Sequence, residues 1–258
     1  MNYVEVPGTP PRFDEIQNVP HGAVHIRSYM STPLKRVQGL YIYVPPEYET
    51  QRSRRFAVLN LRHGATDNEA GWSQLGRAGV ILDNLIAQHK AAPMIIVMTN
   101  GTPYNNNRQV SMDLLTQELL GDVMPFMEKN YRVLPGRENR AIAGLSMGGL
   151  QALTIGLKNL DYFASVGVFS SGLISDAGFN LDQYLPGFLS RPAEVNRQLR
   201  LMFLSCGSED PRYGGHEALV NALKQHKINY VWYPTPGVHE FKVWRHSLYE
   251  FAQQVFRT

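Results

Sequence analysis

Short apolar runs of strand character recur along this chain and alternate with segments of helical periodicity. Most runs are bounded on their C-terminal side by Gly, Pro, Asn or Ser, as strands are. The strand-like runs are residues 40–44, 56–61, 94–99, 140–143, 165–170, 201–205 and 230–233. The helical segments are 80–86, 114–127, 150–157, 218–223 and 241–256. Strands that alternate with helices predict right-handed crossovers and the α/β class, with a mostly parallel central sheet flanked by helices on both faces.

The composition predicts one globular domain with a short N-terminal extension. Of the 258 residues, 43% are hydrophobic and 18% are charged, unlike the profile of disordered chains. The segment before residue 38 is polar and rich in Pro and Gly. We therefore expect residues 1–37 to form a lead-in that packs on the domain and holds at most an edge strand, and residues 38–258 to form the α/β domain.

The charge distribution argues against nucleic acid as a partner. The net charge is +3, and the dense basic cluster of Arg52, Arg54 and Arg55 is shorter than the basic stripe that nucleic-acid binding needs. No stretch of sequence approaches the roughly 18 apolar residues that a membrane span requires. We therefore expect neither a nucleic-acid partner nor a membrane span.

Cysteine content and the first residues bear on the cellular compartment. Cys206 is the one cysteine, so no internal disulfide can form, and its apolar surroundings predict a buried packing residue. Residues 1–11 lack the basic-then-apolar pattern of a signal peptide. We expect either an intracellular protein or the mature or excised form of an exported one.

Residues 144–148 (GLSMG) match the pattern Gly-x-Ser-x-Gly. With Gly and Ser each near ~7% of residues, chance alone produces this pattern in about one chain of this length in ten. Its context is more specific, because it follows a strand-like run and precedes a helical segment, as a nucleophile elbow does. We predict Ser146 as the nucleophile, near a helix N-terminus that favours developing negative charge.

A serine nucleophile needs a histidine base and an orienting carboxylate, and on such an elbow they follow in the order acid, then base. Ligands of a parallel sheet bind outside the carboxyl ends of its strands. His239 meets both conditions, because it lies on a Pro/Gly loop after the run 230–233. Three further histidines are expected to be surface or packing residues. His216 and His226 fall within or at the end of the amphipathic helix predicted after Gly215, and His246 lies inside the last predicted helix.

The orienting acid must lie between the nucleophile and His239. The candidates are Asp161, Asp176, Asp182, Glu194, Glu209, Asp210 and Glu217. Among them, Glu209 and Asp210 directly follow a strong apolar strand, 201–205. We predict Asp210 as the acid, with Glu209 as a solvated neighbour or substitute.

Six stretches of the sequence together resemble carbohydrate esterase family 1, the feruloyl esterase and acetyl xylan esterase group of the α/β-hydrolase superfamily, related to esterase D and the mycolyltransferases. The resemblance runs from about residue 19 to the end of the chain. The stretches are 19–22 (VPHG), 41–48 (YIYVPPEY), 93–101 (PMIIVMTNG), 141–149 (AIAGLSMGG), 207–210 (GSED) and 237–240 (GVHE). The resemblance implies an α/β-hydrolase catalytic domain over residues 38–258.

The resemblance also implies a triad of Ser146, Asp210 and His239, the residues selected above. It further implies an oxyanion hole formed by the backbone N–H groups of Met147 and Ala65. Family members usually continue the loop after the His-Gly pair with further glycines, whereas this chain reads ATDN over residues 65–68. A backbone donor does not need glycine, so Ala65 can still serve. We interpret His63 as a structural residue that supports this loop.

The implied activity is that of a serine carboxylic-ester hydrolase, with feruloyl esters of plant cell-wall polysaccharides as the substrate and no metal or organic cofactor. The alternatives are an acetyl xylan esterase, a general carboxylesterase, an acyltransferase and a non-catalytic carbohydrate-binding relative. Trp72 and Tyr104, on strand-end loops, are candidates to line the acyl pocket, with ordinary loop packing as the alternative. Residues 172–196 occupy the position where family members vary a cover over the site. The resemblance favours a secreted or periplasmic enzyme.

Overall fold

The computed structural model describes residues 6–102, 104–105, 108–109, 111–171 and 180–257. The strands in these ranges are β1 (Ala23–Ser31), β2 (Arg36–Val44), β3 (Ala57–Arg62), β4 (Met94–Thr99), β5 (Tyr104–Asn105), β6 (Arg108–Gln109), β7 (Arg140–Leu145), β8 (Ser165–Phe169), β9 (Leu201–Gly207) and β10 (Val231–Thr235). The α-helices are α1 (Glu47–Thr50), α2 (Gly71–Gln74), α3 (Ala78–Ala87), α4 (Met112–Glu118), α5 (Met124–Asn130), α6 (Met147–Lys158), α7 (Leu181–Tyr184), α8 (Pro192–Gln198), α9 (Tyr213–Gln225) and α10 (Phe241–Ala252). A π-helical turn (Leu119–Val123) joins α4 to α5, and a 3₁₀ turn (Arg137–Asn139) precedes β7.

One large sheet organises the described part of the chain. Its strand order is β1-β2-β4-β3-β7-β8-β9-β10. The pairs β1–β2 and β2–β4 are antiparallel, and the other neighbours in this sheet are parallel. The predicted α/β fold with a mostly parallel central sheet is confirmed.

Helices cover both faces of this sheet, and the alternation of side chains along the strands creates a core on each face. On β4, Ile95 packs with a cluster that includes Leu153 of α6, whereas Ile96 packs with a second cluster that includes Ile81 of α3 and Leu248 of α10. Strands buried on both faces read as continuous apolar runs, which is why their positions are visible in the sequence.

The N-terminal segment packs against the last helix. Asp14 forms a buried ion pair with Arg245 of α10, with 2.8 Å between Oδ2 and Nη1, and the Phe13 ring lies 4.6 Å from that of Tyr249. Strand β1, nine residues long, lies at the edge of the sheet and falls within the segment expected to hold at most an edge strand. Among the described helices, none is both long enough and apolar enough to span a membrane.

Candidate active site

Ser146 lies on a sharp turn between β7 and α6. Its backbone has φ 51° and ψ −116°, a conformation that L residues rarely adopt and that costs of the order of 1–3 kcal/mol. The Ser146 N–H donates to the carbonyl of Phe169 at 2.9 Å, which ties the turn to the end of β8. The surrounding structure therefore holds the serine in a strained position at the carboxyl end of the sheet.

The two glycines that flank the serine are required by close backbone contacts. A Cβ at Gly144 would clash with the carbonyl of Gly148. A Cβ at Gly148 would lie 2.5 Å from the carbonyl oxygens of both Arg62 and His63. The absence of side chains at these positions lets the start of α6 pack directly on the end of β3.

His239 lies on the loop between β10 and α10, and its ring bridges the serine and an acid. Its Nε2 is 3.0 Å from Ser146 Oγ, and its Nδ1 is 2.7 Å from Asp210 Oδ2. The ring of Trp244 packs edge-on against it, with 4.8 Å between the ring centroids. With Nδ1–H donating to the carboxylate, Nε2 is left to accept the serine proton.

Asp210 lies on the turn after β9 and is almost fully buried, whereas the side chain of the adjacent Glu209 is exposed. Besides the bond to His239, its Oδ1 accepts from the backbone N–H of Arg212 at 3.0 Å. Burial alone raises the pKa of the Asp210 carboxyl, but the hydrogen bonds from His239 and Arg212 outweigh it and bring that pKa below its usual value. Asp210 is thus the acid that meets the histidine, and it is held as a carboxylate.

Backbone hydrogen bonds join the loop that carries the acid to the loop that carries the histidine. The N–H of Ser208 donates to the carbonyl of Thr235 at 2.8 Å, and that of Glu209 to the carbonyl of Gly237 at 3.0 Å. Gly207 lies so close to Gly237 that a Cβ there would clash with its carbonyl. The two loops form one unit, which fixes the distance between the carboxylate and the imidazole.

Two backbone N–H groups belong to residues that lie next to Ser146 in the chain or in space. Met147 is the first residue of α6, so its N–H has no partner within the helix. Ala65 lies on the turn after β3, next to Gly64, where a Cβ would stand 3.4 Å from Ser146 Cβ. In the described ranges neither N–H has an acceptor, so both remain available to a bound oxyanion.

His63 supports this turn through both ring nitrogens. Its Nδ1–H donates to the carbonyl of Gly64 at 2.7 Å, and its Nε2 accepts the N–H of Gly101 at 2.9 Å. Burial lowers the pKa of the His63 imidazole, consistent with a neutral ring that accepts at Nε2. Its geometry is that of a structural residue, as the sequence interpretation has it.

A buried arginine that the sequence interpretation missed holds the same region. Arg62, the last residue of β3, donates from Nε to Gln151 Oε1 of α6 at 2.9 Å and from Nη1 to Thr99 Oγ1 of β4. Gln151 in turn donates to the carbonyl of Gly101 at 2.8 Å. The signal in the sequence is an Arg at the end of a mostly apolar strand, because a buried guanidinium needs hydrogen-bond partners.

The structure corrects the predicted substrate contact at Trp72. Its side chain belongs to the core, only 1% exposed, with Nε1–H donating to the carbonyl of Arg62 at 2.8 Å. Its ring lies edge-on to Phe169 and Phe241, so it has no surface to offer a substrate. The side chain of Tyr104 and residues 172–179 of the predicted cover lie outside the described part of the structure.

A family model described as a putative esterase matches residues 31–254. The chain belongs to this esterase family. Membership confirms the predicted resemblance to an esterase family.

Among curated relatives, this esterase is similar to the endo-1,4-beta-xylanase/feruloyl esterase of Xylanibacter ruminicola, at 30% identity over 249 residues. The alignment covers 93% of this chain and 32% of that protein. The chain therefore spans about a third of the length of that relative.

Solved structures share the fold of this esterase. A ferulic acid esterase superposes with a TM-score of 0.82 at 24% identity, over 93% of this chain and 99% of that one. A ferulic acid esterase of carbohydrate esterase family 1 from Anaeromyces mucronatus gives a TM-score of 0.76 at 23% identity, over 94% and 93% of the two chains. At this identity the likeness concerns the fold alone.

His216 of α9 is a second residue of this esterase whose role the sequence interpretation did not identify. It was expected to be a surface or packing residue, and it is fully buried. Its Nδ1–H donates to the carbonyl of Arg212 at 2.8 Å, and its Nε2 accepts the N–H of Ser171 at 3.1 Å. Burial lowers the pKa of the His216 imidazole to about 4.

We expect this burial to make the free energy of unfolding depend on pH. The His216 ring takes up a proton near its usual pKa of 6.5 when unfolded and near 4 when folded. The contribution of the neutral ring to the free energy of unfolding is therefore fully present above pH 6.5. It is lost as the pH falls towards 4, by at most about 3 kcal/mol. Urea unfolding at pH values across this window measures the loss. In His216→Phe the dependence should be flatter, and equal slopes in the two proteins would contradict the assignment.

Proposed function

We propose that this protein is a serine esterase that hydrolyses feruloyl and related hydroxycinnamoyl esters of plant cell-wall polysaccharides through an acyl-enzyme. The observation that carries the proposal is the continuous hydrogen-bonded chain from Ser146 Oγ through His239 to the Asp210 carboxylate. Support for the acyl group comes from the relative named as a xylanase/feruloyl esterase and from the ferulic acid esterases that share the fold.

In the first step Ser146 Oγ attacks the ester carbonyl while His239 Nε2 accepts the hydroxyl proton. Asp210 stabilises the resulting imidazolium through its bond to Nδ1–H. The negative charge that develops on the carbonyl oxygen receives hydrogen bonds from the N–H groups of Met147 and Ala65. When the tetrahedral intermediate collapses, the imidazolium returns the proton to the leaving alcohol oxygen, and the acyl group remains on Ser146.

In the second step water takes the place of the alcohol. His239 removes a proton from the water as it attacks the acyl carbonyl, and the same two N–H groups again stabilise the oxyanion. Collapse of the second intermediate returns the proton to Ser146 Oγ and releases the carboxylic acid. The start of α6 adds to the stabilisation, because the positive end of the helix dipole lies beside the developing charge.

We also propose that residues 38–258 form the catalytic domain and that residues 1–37 pack on it as a lead-in. The ion pair between Asp14 and Arg245 supports the packing. The pairing of β1 with β2 indicates that part of the lead-in completes the sheet.

Hydrolysis of methyl ferulate, compared with that of 4-nitrophenyl acetate, tests the substrate class. We expect a higher kcat/KM for methyl ferulate, and Ser146→Ala, which removes the nucleophile, should abolish turnover of both esters. Cleavage of acetate alone would favour an acetyl xylan esterase. Formation of new esters when an alcohol acceptor is added would favour an acyltransferase. Inertness towards every ester tried would favour a non-catalytic carbohydrate-binding relative.

A further inference from the structure

His216 lies between the loop that carries the proposed catalytic acid and the end of β8. It belongs to the first turn of α9, directly after that loop, and no atom of its side chain reaches solvent. The ring lies nearly parallel to that of Trp232 on β10, with 6.2 Å between centroids and 16° between planes. A polar side chain in such a position must satisfy its hydrogen-bonding groups within the protein.

Both ring nitrogens are engaged by backbone groups from different elements. Nδ1–H donates to the Arg212 carbonyl, and Nε2 accepts the Ser171 N–H. Because one nitrogen must donate and the other must accept, the ring is fixed as a single neutral tautomer. A neutral ring agrees with a pKa of about 4 for the His216 imidazole, which burial lowers. Neither nitrogen is free to act as the catalytic base.

Arg212 connects this ring to the carboxylate. Its carbonyl accepts from the His216 ring at 2.8 Å and from the His216 backbone N–H at 3.1 Å, and its own N–H donates to Asp210 Oδ1 at 3.0 Å. The Arg212 backbone therefore links the two groups. Its carbonyl bonds to the buried His216 ring, and its N–H bonds to Oδ1 of Asp210, the carboxylate oxygen that does not bond to His239. Movement of Arg212 would change the direction in which the Asp210 carboxylate points.

Ser171 connects the ring to the nucleophile side. It follows β8, whose Phe169 carbonyl accepts the N–H of Ser146 at 2.9 Å. The end of β8 is further joined to β9 by the bond from the Ser170 N–H to the Ser205 carbonyl at 2.8 Å. His216 thus bonds the acid loop to the strand end that holds the serine turn.

We propose that His216 is a positioning residue that fixes the Asp210 carboxylate relative to Ser146 by bonding the backbone of Arg212 to that of Ser171. The inference rests on the proposed triad of Ser146, His239 and Asp210. His216 touches neither substrate nor the reacting atoms, so its effect on turnover must pass through the direction of the carboxylate.

A double-mutant cycle with Asp210→Asn tests this route. His216→Phe keeps an aromatic ring for Trp232 and removes both hydrogen bonds. In the otherwise unchanged protein it should lower kcat about 10- to 100-fold, the scale of a displaced catalytic group, with KM changed less than about twofold. In the Asp210→Asn background, where the carboxylate is already absent, the same substitution should lower kcat by less than about threefold.

The assay is steady-state hydrolysis of a 4-nitrophenyl ester, with kcat expressed per active site after burst titration and with Ser146→Ala setting the background. His226→Phe is the matched control, since His226 follows the last turn of the same helix at the surface, and it should leave kcat unchanged. His216→Gln keeps an acceptor for Ser171 and an amide donor, and it should recover part of the lost kcat.

Equal losses of kcat in the two backgrounds would overturn the proposal, because His216 would then act independently of Asp210. An unchanged kcat in His216→Phe would overturn it as well. If His216→Phe fails to fold, as judged by circular dichroism, His216→Gln takes its place in the cycle, with a smaller loss expected in the first background and none in the second. A different result would contradict the proposed triad itself: the single variant Asp210→Asn would then keep full activity.

Discussion

Replacing His239 with alanine should lower kcat by about a million-fold, the scale seen when the base of a serine-hydrolase triad is removed. Without the imidazole, Ser146 keeps its proton at neutral pH, because among the described residues the His239 ring is the group that hydrogen-bonds to its Oγ. The ring is also the donor that returns a proton to the leaving alcohol, so both chemical steps lose their acid–base catalyst. Hydrolysis of a 4-nitrophenyl ester by the purified variant, with Ser146→Ala as the background, measures the loss.

The control for this variant is His246→Ala on α10. The His246 ring packs 4.5 Å from that of Phe13 of the N-terminal segment, and its loss should leave kcat within about threefold of the parent. A comparable collapse of kcat in His246→Ala, or an active His239→Ala, would show that the base is misassigned.

Asp210→Asn should lower kcat by about ten-thousand-fold while the fold stays intact. An asparagine of the same shape fills the space but presents an amide N–H₂ towards His239, which favours the wrong tautomer of the imidazole. The ring then offers N–H rather than a lone pair to Ser146. The variant also lacks the charge that stabilises the imidazolium. Steady-state kinetics with circular dichroism as a check on folding provide the measurement.

Glu209→Gln is the matched control, because it makes the same chemical change one residue earlier. The Glu209 side chain is exposed, and its N–H rather than its carboxylate joins the loop contacts. Its kcat should remain within about twofold of the parent. A mild loss in Asp210→Asn together with a large loss in Glu209→Gln would move the orienting role to Glu209.

Most of the central sheet could be predicted from the sequence because its strands are buried on both faces. The run 94–99 coincides with β4, and each of the other predicted runs overlaps a strand of the sheet. Strand β1 was less evident, since most of its residues are exposed at the edge of the sheet. An edge strand lacks the apolar run that marks a buried one.

The three proposed triad residues could be predicted from the sequence, because each is marked by its order along the chain and by its place after a strand. Ser146, Asp210 and His239 each follow a strand of the parallel part of the sheet, and the structure brings them together. The prediction that Trp72 lines the acyl pocket was wrong, and the alternative of packing is what the structure shows. Its place after a strand does not reveal that the ring turns inward and packs against Phe169 and Phe241.

The position of His216 could have been found from helical periodicity. It precedes Leu219, Val220 and Leu223 by three, four and seven residues, which places it on the buried face of α9. The spacing does not identify Ser171 as the residue whose N–H bonds to the His216 ring. The approach of Ser171 from the end of β8 depends on how two distant elements pack, and the sequence holds no local signal for it.

The bonds that join the acid loop to the histidine loop run from backbone to backbone, through Ser208, Thr235, Glu209 and Gly237. Such bonds place few demands on side-chain identity, apart from the close approach of Gly207 and Gly237. Side chains of these loops other than Asp210 and His239 can therefore be replaced, away from the two glycines, while the backbone bonds keep acid and base aligned, so the surface beside the triad can change without loss of the triad geometry.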